Sequence, residues 1–186
     1  MIKMSEREVV IDKMRLTYEG LFDVVELYKL IDRFFKEKGY DKRERHNSER
    51  ITPEGKFIEL ELEPWKKITD YAMNVIKLRI VMSDVTEVVV KKDNVKVRLN
   101  KGKINMVFDA YIETDYEHRW EGKPLFFFLR TIFDKYVFRP YTSGFRKNVI
   151  DDCNHLYNKI KAFLNLYKIE TPAQTAPRAT DLTPGP

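Results

Sequence analysis

Cysteine is nearly absent. The single residue, Cys153, leaves no internal disulfide to staple the fold, and the expected compartment is therefore the reducing cytoplasm. Glycine is scarce too, at seven in 186 residues, and none lies in a phosphate-cradling loop or a nucleophile elbow. Only three histidines are present and no HExxH occurs, so no catalytic residue, metal or cofactor is assigned. No run of about 18 uncharged apolar residues exists, which excludes a bilayer-spanning helix. Residues 1–12 carry four charges before Val9, unlike a signal peptide.

What remains is a chain that is 43% apolar and 34% charged with a net charge of +5. That composition suits one globular domain with a heavily charged surface, expected over residues 1–170. Residues 171–186 (TPAQTAPRATDLTPGP) have little to bury and are expected to be a disordered Pro/Thr-rich tail.

The pattern begins with a strand over 7–18, ending at Gly20, and a helix from Leu21 to Lys38 with a broad apolar stripe from Leu21 to Phe35. Gly39 stands where a left-handed C-terminal residue is expected. From Asp41 the period becomes two. A polar strand over 43–50 leads through the turn Thr52-Pro53-Glu54-Gly55 into a strand with Ile58, Leu60 and Leu62 on one face and Glu59, Glu61 and Glu63 on the other. With Trp65 opposite Tyr71, Leu60 would face Ile76, Ile58 would face Leu78 and Glu59 would face Lys77.

Two dipeptides, Asp93-Asn94 and Lys101-Gly102, fit two-residue hairpin turns. They predict a three-stranded meander over 87–113, with Val90 opposite Val97, Val88 opposite Leu99, and Leu99, Val97 and Val95 opposite Ile104, Met106 and Phe108. Pro124 can open a further helix reaching about Phe138, carrying Phe126, Phe127, Phe128, Phe133 and Tyr136 over almost its whole circumference. Arg130, Asp134 and Lys135 exclude a spanning role for it. Thr142-Ser143-Gly144 separates it from a last helix, 146–168, seamed by Val149, Cys153, Leu156, Ile160, Phe163 and Tyr167.

The order of these elements (strand, helix, six antiparallel strands, long C-terminal helix) resembles the helix-grip fold of START-like and birch-allergen-like proteins. The likeness covers residues 7–168 and rests on element order. It implies an α+β fold in which a curved antiparallel sheet grips the last helix over an apolar cavity, here with an added aromatic helix at 124–138. The Lys/Glu-rich, nearly Gln-free body also resembles archaeal proteins to which no activity is attached.

The residues then suggest a binding role. An apolar, lipid-like ligand is expected between the meander and the last helix, lined by Val97, Leu99, Met106, Phe108, Leu156 and Ile160, with Phe127 closing it. A helix that is apolar nearly all round suggests a second contact, so the 124–138 segment is an alternative surface for a homodimer or protein partner. The third reading is a nucleic-acid site on a basic sheet face made by Lys77, Arg79, Lys91, Lys96 and Arg98. Against it, Glu59, Glu61, Glu63, Asp109 and Glu113 share that face, and the aromatic platforms of single-strand binders reduce chiefly to Tyr111. Asp151, Asp152 and His155 lie within one helical turn and are a weak metal pattern, since charge balance explains the aspartates more simply. His46 with Arg45 and Glu61, and His118 with Asp115, Glu117 and Trp120, are the remaining polar groupings. Cys153 falls on the apolar seam and is read as core.

Overall fold

The computed structural model describes residues 6–69, 72–92, 95–114 and 139–169. The aromatic segment 124–138, with Phe127, and the tail 171–186 lie outside the described residues. The chain runs β1 (Glu6–Phe22), α1 (Val24–Glu37), β2 (Glu44–Thr52), β3 (Gly55–Leu62), β4 (Trp65–Lys67), β5 (Ala72–Lys92), β6 (Val95–Thr114) and α2 (Arg139–Ile169). The strands form one open antiparallel sheet in the order β1-β6-β5-β3-β2, with β4 also paired to β5. The architecture is α+β, with α2 against the sheet and α1 beside it, as the sequence pattern predicts.

Local chemistry explains the boundaries. Asp23 caps α1, its Oδ1 accepting from the Glu26 amide at 2.9 Å. This satisfies one of the backbone donors orphaned at a helix start. Asp23→Ala is therefore expected to cost about 1 kcal/mol, read as a lower midpoint in urea; an unchanged midpoint would remove the cap from the account. Gly39 follows the helix at φ 72°, the left-handed value expected there. The β2–β3 hairpin closes through Pro53 and Glu54, with the Thr52 hydroxyl donating to the Gly55 carbonyl at 2.7 Å.

Three departures reshape the sheet. First, β3 pairs with β5 four residues further along than expected: Leu60 faces Ile80, Ile58 faces Met82 and Glu59 faces Val81. Residues 65–67 form their own strand, with Trp65 opposite Val75, and this lengthens the path before β5 folds back. Second, Asp93-Asn94 does separate paired strands, with Val90 opposite Val97 and Val88 opposite Leu99. Lys101-Gly102, in contrast, is no turn. β6 runs straight through it and β5 runs unbroken from Ala72 to Lys92, so with β4 added five strands follow α1 rather than six, and Ile104, Met106 and Phe108 pair with Tyr18, Leu16 and Met14 of β1 on one side and with β5 on the other.

Gly102 has another task. The β5 ladder is irregular between Ser83 and Thr86, and Asp84 sits at φ 58°, the mark of a bulge. A Cβ on Gly102 would lie 2.9 Å from the Ser83 carbonyl oxygen, and one on Gly55 of β3 would lie 2.9 Å from the Val85 carbonyl oxygen. Two glycines on flanking strands thus make room for the bulge between them.

Third, α2 begins at Arg139 rather than near 146. Pro140 falls in its first turn, where a missing amide hydrogen costs nothing, and Gly144 lies within it at a position where an added Cβ would meet nothing. Its seam is as expected through Val149, Cys153, Leu156 and Ile160, which are fully buried, and continues at Leu164, while Phe163 is only partly buried and the Tyr167 side chain lies outside the described residues. At 1.5 Å per residue the helix is about 46 Å long.

The core lies on one face of the sheet. Leu27, Ile31, Phe34 and Phe35 of α1 and the α2 seam meet Leu78, Ile80, Met82, Ile104, Met106 and Phe108 in a single buried cluster. The two helices are joined where they pass: the Tyr40 hydroxyl donates to Asp152 Oδ2 at 3.2 Å, Lys38 Nζ lies 2.9 Å from Asp152 Oδ1, and the Phe34 and His155 rings meet edge to face. Among the described residues no helix is long and apolar enough to cross a membrane.

Candidate functional site

Side chains alternate along a strand, so the continuity of β6 sorts the expected site residues. Met106, Phe108, Leu156 and Ile160 are brought together, each buried in the main core cluster, and the Phe108 ring packs edge-on against Tyr157 with centroids 5.7 Å apart. Leu99 and Val97 carry odd numbers on the same strand and so stand on the opposite face. Leu99 is buried outside that cluster, and Val97 is partly exposed. The side of β6 that faces α1 is marked by Asn100, whose Oδ1 accepts from the Val24 amide at 3.3 Å.

The same alternation divides the basic residues. Lys77 and Arg79 face outward, opposite Asp109 and Val107, whereas Lys96 and Arg98 share the other side of β6. Those that face outward are paired: Lys77 Nζ lies 2.7 Å from Glu61 Oε1, and an Arg79 guanidinium nitrogen lies 2.7 Å from Asp109 Oδ2. Arg98 lies 3.4 Å from Glu87, and the side chain of Lys91 is outside the described residues. An ion-paired ladder, weakly stabilising where exposed, is what the described outer face carries.

At one end of that face the pairing becomes dense. The Glu63 carboxylate, nearly buried, accepts hydrogen bonds from the Tyr111 hydroxyl and from Arg45. Arg7 lies over the Tyr111 ring at 4.9 Å and 3.6 Å from Glu113. Tyr111 is therefore a buried partner, packed with Met73, Val75 and Trp65, and not a stacking platform. Burial pushes the Glu63 carboxyl up, but the bonds from Tyr111 and Arg45 outweigh it and hold it below the usual carboxylate range. Such a group stabilises the fold above its unfolded pKa of about 4.3 and ceases to do so as pH falls through the lowered native value. Acid unfolding of the wild type should accordingly be steeper below pH 4.3 than that of Tyr111→Phe; identical pH profiles would contradict the linkage.

The other polar candidates are accounted for. Asp152 is held by Lys38 and Tyr40, and no group of three metal-ligating side chains occurs among the described residues. His46 stands opposite Glu61 in the β2–β3 ladder, as expected, but is exposed, with its Nε2 3.2 Å from the Ser48 Oγ. His118 and its neighbours are outside the described residues. The Cys153 thiol is fully buried, and its pKa is pushed up to about 12 by burial and then by Asp109 and Asp152, which keeps it protonated and unreactive.

A pocket of about 270 Å³ opens elsewhere, between α1, β3 and the chain that follows Gly39. Its floor is Ile31 and Phe35 from α1, Leu60 and Leu62 from β3, and Pro64. Tyr28 and Tyr40 supply ring walls, and Asp32, Lys36, Asp41 and Lys42 form a charged rim. The far wall is fixed by the backbone: Asp41 and Trp65 exchange hydrogen bonds of 2.8 and 3.1 Å, and the Glu63 amide donates to the Arg43 carbonyl at 2.7 Å. Both tyrosines have their hydroxyls engaged, Tyr28 donating to Glu44 at 2.9 Å and Tyr40 to Asp152. Burial and then the Glu44 hydrogen bond push the Tyr28 phenol up to about 12, and burial and then Asp152 raise Tyr40 further. The rings thus present hydrocarbon to the pocket while their polar ends point to partners.

The sequence pattern held a sign of this place. Leu27, Ile31 and Phe34 form one seam of α1, and Tyr28, Ile31 and Phe35 form a second beside it. A stripe that broad exceeds what one packing surface needs. Applied to α1 as it was to 124–138, the same criterion would have marked the helix as having two contacts.

No family model, curated protein or solved structure matches the chain.

Proposed function

We propose that this protein is a binding protein for a small apolar or amphipathic ligand, held between α1 and β3. The observation that carries this is the pocket itself: an apolar floor and aromatic walls beneath a charged rim. A cavity of roughly 150 Å³ lined by Leu, Ile and Phe accepts benzene, so one of about 270 Å³ has room for a monocyclic ring with a short chain or for a short alkyl chain. Concave, mostly apolar sites with a few polar groups are the usual form of small-ligand sites. Burial of ligand hydrocarbon supplies about 25 cal/mol per Å², from which the loss of translational and rotational freedom is subtracted, so weak binding in the millimolar range is expected.

The likeness to helix-grip proteins is retained here as a proposal. It is supported by β1 pairing with the last strand, by α1 lying between β1 and β2 in the chain, and by α2 following β6 and packing on the sheet. The ligand, however, is placed on the α1 flank, because Met106, Phe108, Leu156 and Ile160 are packed against one another and their neighbours in the core.

The test is thermal denaturation with the neutral probe 3-phenylpropanol at millimolar concentration. Wild type is expected to gain in melting temperature, as any ligand that binds only the native state requires, and Leu62→Phe, which puts a ring into the pocket, is expected to lose most of that gain. No shift in the wild type, or an equal shift in Leu62→Phe, would overturn the placement.

A further inference from the structure

The rim of the pocket carries charges that are unequally committed. Asp32 on α1 and Lys42 on the opposite wall form an ion pair, Nζ to Oδ1 2.9 Å, with both side chains about half exposed (50% and 51%). Because both line the pocket, this pair bridges the mouth. An exposed pair of this kind is worth little, so a competing anion can take Lys42 at small cost. Lys36, one helical turn beyond Asp32, also lines the pocket and has no ion-pair partner among the described residues.

A cationic ligand is served less well. The ring faces on which an ammonium would settle are already taken: Lys42 Nζ lies 5.4 Å from the Tyr28 centroid, and Lys66 Nζ lies 5.7 Å from that of Tyr40. Lys66 is held in place by a 2.8 Å hydrogen bond to the Lys38 carbonyl. Asp41 has no ion-pair partner among the described residues, but the rim carries two charges of each sign, so the occupied ring faces and not the net charge weigh against an ammonium.

We infer that the ligand is a small amphipathic carboxylate whose hydrocarbon lies on Phe35, Leu60 and Leu62 and whose head replaces Asp32 on Lys42, with Lys36 alongside. This rests on the pocket reading above and adds the charge of the ligand. Removing the native acid should improve carboxylate binding, because it frees Lys42 and takes a like charge from the mouth.

Titration calorimetry at low salt with 3-phenylpropanoate, 3-phenylpropanol and 3-phenylpropylammonium separates the cases. Wild type should prefer the carboxylate to the alcohol. Asp32→Asn should tighten the carboxylate about fivefold, the size of one exposed ion pair, and leave the alcohol unchanged. Lys42→Met should erase the preference. Equal binding of carboxylate and alcohol, tightest binding of the ammonium, or no gain in Asp32→Asn would overturn the inference while leaving the pocket standing. Failure of all three probes to bind the wild type would overturn the pocket and the inference together.

Discussion

Phe108→Ala is expected to lower stability by about 3–5 kcal/mol, whereas Val97→Ala should cost less than about 1 kcal/mol. Phe108 is fully buried, sits between Met14 and Leu78, and packs edge-on against Tyr157 of α2. Truncation there leaves a cavity that strands and helix cannot both close. Val97 meets Val90 across the hairpin and is partly exposed. Had the chain turned at Lys101-Gly102, Val97 would lie opposite Met106 on the common floor, and its truncation alone would cost about 2 kcal/mol or more. Urea midpoints decide between these arrangements, and a loss of about 2 kcal/mol or more in Val97→Ala would contradict a continuous β6.

The second large effect is at Gly102. Gly102→Val is expected to destabilise by about 1–3 kcal/mol, although valine favours strands. The obstacle is backbone: an added Cβ would lie 2.9 Å from the Ser83 carbonyl oxygen and 3.1 Å from the Val85 Cα. Neither can move without undoing the β5 bulge. Gly102→Asn discriminates further, because a hairpin turn accepts asparagine and this position does not. Wild-type stability in the asparagine variant would contradict the role assigned to the glycine.

These two residues show how far the pattern of the chain reaches. Alternation and the helical seam identified β1, β3, most of β5 and β6, and the α2 contacts Val149, Cys153, Leu156 and Ile160, because burial imposes those periods directly. The β3–β5 register lies four residues from the one alternation predicts, with Ile80 rather than Ile76 opposite Leu60. A shift by an even number keeps every apolar residue on the apolar face, so nothing in the pattern opposes it. Lys101-Gly102 misled for another reason: a glycine required for a close approach across strands looks the same as one required for a turn. That one misreading folded Val97 and Leu99 onto the floor made by Met106 and Phe108 and gathered Lys77, Arg79, Lys96 and Arg98 onto one face. The pocket was harder still, since it is made by Phe35, Leu60, Lys42 and their neighbours from three separate stretches of chain. Only the tertiary fold makes them neighbours.

The central claim is that ligand enters between α1 and β3. Methyl resonances of selectively labelled isoleucine and leucine, followed during titration with 3-phenylpropanoate, test it most directly. The largest shifts are expected at Ile31, Leu60 and Leu62. Shifts centred on Ile104, Leu156 and Ile160 would instead put the ligand between β6 and α2, and contradict the site described.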